Sequence, residues 1–193
     1  MDNLKLLARG NSKLFKTIFC WSITPIVSCL NCEQCKKHCY ARFPYAFYPA
    51  TKKAWDRNFE LAKSGEFVQL VIDQIKVARS CKTVRIHVAG DFFSQEYINQ
   101  WQEIASQFPG INFYSYSKVF NLFDFSKLVS LPNVNIINSI AFDGGINFGK
   151  RERVDFLKLN GYIECPAVEG DVACGKDCSL CITNEKVCFL QHK

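Results

Sequence analysis

The chain has 193 residues, 24 Lys and Arg against 18 Asp and Glu, a net charge of +6, and an apolar fraction of 48% that includes 17 Phe. That length holds one domain, or one with a small appendage, and the apolar content suits a packed core and excludes a disordered chain. The mildly basic balance permits nucleic-acid contact without demanding it; no apolar run reaches the ~18 residues of a membrane span; and the opening MDNLKLLARGNSKLFK has no signal-peptide core, so a reducing cytoplasm and no membrane contact are expected.

In chain order, KTIFCWSI (16–23) mixes apolar and β-branched residues and predicts a strand, ended by Pro25. A cysteine loop follows, then FPYAFYPA (43–50), which two prolines turn into an expected ordered loop. TKKAWDRNFELAKSG (51–65) runs from a capping Thr51 to Gly65 and predicts a helix; EFVQLVIDQIKVARS (66–80) has helical apolar spacing. TVRIHV (83–88) predicts a strand, and Ser94 caps a helix over 95–108 that Pro109-Gly110 stops. INFYSYS (111–117) predicts a strand, 123–131 a short helix, NVNIINSIA (133–141) a strand, 150–161 a helix, and YIEC (162–165) a last strand.

This alternation implies parallel strands with right-handed crossovers. The expected fold is α/β: an incomplete (β/α) barrel or an open parallel sheet of about five strands, since a closed eight-fold barrel takes about 250 residues. The expected organisation is a core over 1–164 that carries a cluster loop at 29–39, with a Cys-rich segment over 165–193 packed on it. Ligands in such folds sit at the carboxyl ends of the strands. Three features fall there: the cysteine loop, His87 with Asp91, and SYSK ending at Lys118.

Eleven cysteines, an odd number in tight clusters, read as metal ligands in a reducing compartment. Cys29, Cys32, Cys35 and Cys39 follow C-x2-C-x2-C-x3-C, the spacing of bacterial ferredoxin sites. In those sites the fourth cysteine serves another cluster and Pro follows it; here Tyr40 follows Cys39, so the spacing predicts iron–sulfur without fixing which thiolates share a cluster. A zinc ribbon would instead separate two C-x2-C pairs by ~15–20 residues. The second set is Cys174, Cys178 and Cys181, with Cys165 or Cys188 as a fourth thiolate. Cys20 and Cys81 stand alone and read as buried or unligated thiols.

Cys174-x3-Cys178-x2-Cys181 also has the spacing of radical S-adenosylmethionine enzymes, but it lies at the far end of the chain. The topology is similar to theirs, with Ala89-Gly90-Asp91-Phe92 where those enzymes carry a cofactor-binding Gly-Gly-Glu-Pro-like turn. Gly90 and Asp91 are therefore candidates to bind S-adenosylmethionine.

The chain resembles the phage-encoded gene product 88 family. The resemblance rests on GNSKL (10–14), the cysteines ending in Cys39-Tyr40-Ala41, RN (57–58), the stretch 84–109, FYSYSK (113–118), and the tail from Cys165 to His192. It implies a phage protein working in the host cytoplasm. It also implies a front ligand set of Cys29, Cys35 and Cys39 and a back set of Cys165, Cys174, Cys178 and Cys181, with Cys32 and Cys188 as extras.

His87 has two readings, a buried hydrogen-bonded histidine or a site group; Asp91 has two, turn chemistry or a ligand-binding carboxylate. With Lys118 they are the candidate catalytic residues. Arg85 reads as solvated and His38 as exposed. Phe43, Tyr45, Phe47 and Tyr48 read first as a shield around the cluster, second as rings that stack on bases or a cofactor. The whole predicts an iron–sulfur protein with one or two [4Fe–4S] clusters doing redox or electron-transfer chemistry, served by an electron donor or a small-molecule substrate. A divergent radical S-adenosylmethionine enzyme and a zinc-stabilised nucleic-acid- or protein-binding module are the alternatives.

Overall fold

The computed structural model describes residues 5–11, 13–168 and 172–191. Ala8–Arg9 (β1), Ile18–Cys20 (β2), Thr83–Arg85 (β3), Asn112–Ser117 (β4) and Val134–Asn138 (β5) form one sheet in that spatial order. β2 to β5 are parallel, and β1 joins the edge antiparallel, with Ala8 opposite Cys20. The sheet is open, as one of the two expected forms.

Helices α1 (Arg42–Phe47), α2 (Pro49–Ala62), α3 (Phe67–Val77), α4 (Gln95–Ser106) and α5 (Ser126–Val129) fill the connections between strands. Ser94 caps α4 as expected: its hydroxyl accepts from the Tyr97 amide at 3.1 Å. The expected loop over 43–50 is instead α1 and the start of α2. Pro44 sits in the first turn of α1 and Pro49 in the first turn of α2, where no helical N–H bond is lost. Pro49 rather than Thr51 therefore opens α2.

Strand alternation sorts the side chains by face. Trp21, Val84, Ile86, Phe113 and Ile136 pack in the main core with Phe67, Val71 and Ile75 of α3 and Tyr97, Trp101 and Ile104 of α4. Ile18, Cys20, Tyr114 and Ile137 pack on the other side, with Cys174, Leu180 and Cys181 of the C-terminal segment. The cause is topological. Strands that follow one another in space and in sequence, joined by right-handed crossovers, put every crossover helix on one face. The C-terminal segment covers the face left bare.

Two strand expectations change. Residues 162–165 do not add to the main sheet. Ile163–Glu164 (β7) pairs with Val187–Leu190 (β8), which also pairs with Phe148–Gly149 (β6), giving a small parallel sheet against α6 (Arg151–Leu159). The chain leaves β5 through a turn closed by the Ala141 amide on Gly145 O, which carries it away from the main sheet. The strand expected over 83–88 stops at Arg85. His87 takes a left-handed backbone, φ 63°, that no strand continues through.

Candidate metal centres

The front loop leaves β2 at the carboxyl edge of the sheet. Ile26 has φ 69°, a rare conformation for a β-branched residue, and its carbonyl accepts from the Cys29 amide. The Cys32 carbonyl accepts from the Cys35 and Lys36 amides at 3.0 and 2.7 Å, which coils the loop on itself. Two side chains pin it: Asn31 Nδ2 donates to Lys118 O at 2.7 Å and Gln34 Nε2 to Gly144 O at 2.9 Å. The Tyr40 hydroxyl donates to Val88 O.

These bonds bring the front thiols to Asp91 and Lys118. Burial pushes the Cys29 thiol up to about 12, and the Asp91 carboxylate and Cys39 add to it. Burial also raises Cys35; Lys118 opposes that rise, while Cys39, Cys32 and Asp91 reinforce it. Such thiols stay protonated until a metal takes the proton's place.

Asp91 is buried, with both oxygens engaged. Oδ1 accepts from the Phe92 amide at 2.8 Å and Oδ2 from the Lys118 amide at 3.0 Å. Burial raises its pKa against those bonds. It ties the turn after β3 to the end of β4, beside the front thiols. Gly90 has φ +93°, and a Cβ there would lie 2.3 Å from Ile23 Cγ1 and 2.8 Å from Ser28 Oγ. The turn can approach the front loop so closely because this residue is glycine.

His87 goes elsewhere. Its ring packs edge-on against Phe92 in the helix-side core. Nε2 lies 3.0 Å from the Tyr97 hydroxyl, which accepts from Trp21 Nε1; Nδ1 lies 3.5 Å from Ser115 Oγ, whose proton goes to Ile86 O. Both partners fit one tautomer, with the proton on Nδ1 and Tyr97 donating to Nε2. Burial lowers its pKa to about 3.

The back set forms against the opposite face. The amino-terminal turn supplies its seat: Asn11 Oδ1 accepts from the Lys13 and Leu14 amides, the Phe15 amide bonds Cys174 O at 2.9 Å, and the Cys174 amide bonds Lys13 O at 3.2 Å. Asn135 Nδ2 holds Cys181 O and Asn184 O, both at 2.9 Å. Cys165, Cys174 and Cys181 pack in one cluster and Cys174 bridges to Cys178, so the four residues form one connected group. Cys188 does not join it. It is fully buried among Ala141, Val154, Leu157 and Tyr162, on the opposite side of β8 from Val187, which packs with Cys165. Cys165 is thus the fourth member of the back group.

Arg85 and Tyr116 complete this face, a role the sequence reading gave to neither. Arg85, expected to be solvated, is half-buried over the rings of Tyr114 and Tyr116, with Nε lacking a hydrogen-bond partner. Its charge favours the Cys174 and Cys181 thiolates. The Tyr116 hydroxyl donates to Cys181 Sγ at 2.6 Å. Burial pushes Cys181 up to about 12, and the Tyr116 bond and Arg85 work against that rise. The available signal was parity: Arg85 pairs with Tyr114 across β3 and β4, and Tyr116 lies two residues further on the same face.

The eleven cysteines are thiols rather than disulfides. Cys20 and Cys81 are buried; the Cys81 thiol meets Thr83 O at 3.7 Å. Among the described residues, no three Cys, His, Asp or Glu groups close on one point as a single metal ion requires. His38 is exposed, and His192 lies outside the described residues. Phe43, Phe47 and Tyr48 do not shield the front loop as expected: they are 59%, 66% and 53% exposed, because α1 turns them outward. Arg57 and Asn58 serve the fold, binding Lys5 O, and Leu6 O with Ser22 O, respectively.

Among known proteins, the family model for gene product 88 matches residues 3–156. No curated protein and no solved structure matches the chain.

Proposed function

The chain belongs to the gene product 88 family, a phage gene product family, and we propose that it is an iron–sulfur protein carrying two [4Fe–4S] clusters for redox or electron-transfer chemistry. The front cluster would be held by Cys29, Cys32, Cys35 and Cys39, and the back cluster by Cys165, Cys174, Cys178 and Cys181. One observation carries the reading: each thiol group lies beside a basic side chain, Lys118 at the front and Arg85, with Lys13, at the back. A cubane ligated by four thiolates carries net negative charge, so a basic side chain beside each group fits it.

The donor chemistry agrees. Thiolates are soft ligands that suit iron–sulfur clusters and zinc alike. A single zinc ion needs its ligands closed to about 2.3 Å around one point, whereas a cubane takes one thiolate at each separate corner. When bound, the clusters supply one-electron transfer. The chain's own residues bind them, offset their charge, and exclude water from the back site, where Tyr114 and Cys165 are buried.

Anaerobic reconstitution with an iron and sulfide count tests the reading. A brown protein with about eight iron and eight sulfide per chain is expected, four of each per cubane. A colourless protein that holds zinc and no sulfide would overturn it in favour of the zinc-stabilised module.

A further inference from the structure

Residues 34–55 hold five Lys and Arg and no Asp or Glu, interleaved with six aromatic residues. Three of those rings form one exposed patch: Phe43 lies tilted against Phe47 with centroids 4.7 Å apart and meets Tyr48 edge-on at 6.0 Å. Each is more than half exposed, and no described element packs over them. Exposed cations flank the patch along the chain on both sides. Arg42 Nη1 reaches Lys36 O at 3.4 Å, which ties the exposed turn bearing Lys36 and Lys37 to α1. Lys53 follows in the second turn of α2, also exposed.

An exposed aromatic cluster is costly in water and calls for a partner. The charge selects its kind. A partner here must be anionic and must also offer flat apolar faces at short intervals. Single-stranded nucleic acid has both in every repeating unit, a phosphate and a base. An acidic protein would need a separate apolar patch matched to its carboxylates. We propose that the α1 face, with Phe43, Phe47 and Tyr48 flanked by Lys36, Lys37 and Lys53, is a binding surface for single-stranded nucleic acid. The rings stack on bases and the lysines contact phosphates. The proposal does not depend on what the cysteines bind.

Fluorescence anisotropy of the full-length protein with a labelled oligothymidylate tests it. Binding is expected to weaken as salt rises, with a log–log slope of about −0.7 for each phosphate contacted. F43A/F47A should weaken binding by at least about tenfold, as the loss of stacked bases predicts, and should leave the salt slope unchanged. K37Q/K53Q should flatten the slope. All four side chains are exposed, so thermal melts of both variants should match the parent, and a melt that shifts moves the comparison to the single variants F47A and K53Q. Three outcomes overturn the proposal: no binding at low salt, unchanged affinity in F43A/F47A, or polyglutamate binding as tightly as the oligonucleotide, which would assign the face to an acidic protein.

Discussion

The Tyr116 hydroxyl donates a hydrogen bond to Cys181 Sγ at 2.6 Å, from the middle of the sheet face that the C-terminal segment covers. A donor on a ligand sulfur draws electron density from it and stabilises the reduced cluster. Tyr116→Phe keeps the ring against Phe189 and removes the donor. With the proposed clusters reconstituted, the expected result is a lower midpoint potential for the back cluster and an unchanged front one, measured by anaerobic redox titration. Equal potentials in parent and variant would deny Tyr116 this role.

Arg85 would act on the same proposed cluster through charge, as it already favours the Cys174 and Cys181 thiolates. Arg85→Met retains the apolar stem and removes the cation. Reduction adds negative charge, so losing a nearby positive charge should lower the back potential again and loosen iron retention there. Iron remaining after mild chelation measures the second effect.

The thiol groups predict a separable pattern of iron loss. Cys35→Ser should lose the front iron alone, and Cys165→Ser or Cys178→Ser the back iron alone. Cys188→Ala should keep full iron content while lowering stability by about 1 kcal/mol, because it removes one sulfur from a packed core. Iron counts and chemical melts on the four variants check this. If Cys188→Ala loses iron and Cys165→Ser does not, the grouping is reversed.

His87 makes stability pH-dependent. Its pKa is about 3 in the fold against ~6.5 unfolded, so below pH ~6.5 the unfolded chain binds a proton that the folded one does not. Stability is full above that pH and falls as pH drops towards 3, by up to about 1.4 kcal/mol per pH unit. His87→Asn suits the left-handed backbone and has no such proton. Denaturant melts between pH 4 and 7 should show a shallower acid slope for the variant.

Gly90→Ala combines two penalties, a left-handed φ and a Cβ within 2.3 Å of Ile23. A loss of about 2–5 kcal/mol is expected. The double variant Gly90→Ala with Ile23→Ala removes the clashing Cγ1 and, compared with Ile23→Ala alone, should recover part of the clash and none of the φ penalty, which thermal melts resolve.

Much of this was legible in order along the chain. The α4 helix shows its cap and apolar period, and β4 and β5 their β-branched and aromatic runs, because local propensity and burial agree there. The α1 helix was hidden because prolines at tolerated first-turn positions look like loop signals. β1 and β6 are two residues each, too short to carry an alternation.

The sequence by itself determined that the cysteines fall into two groups and that a parallel α/β sheet lies between them, since spacing and periodicity are properties of neighbours. Only the tertiary structure decided that Cys165 rather than Cys188 completes the back group, that His87 faces the helices while Asp91 and Lys118 face the front thiols, and that Arg85 sits beneath Cys174 and Cys181. Those choices depend on which face of a strand a residue occupies and what packs over it. Adjacent residues on a strand point to opposite faces, and the covering segment comes from the far end of the chain.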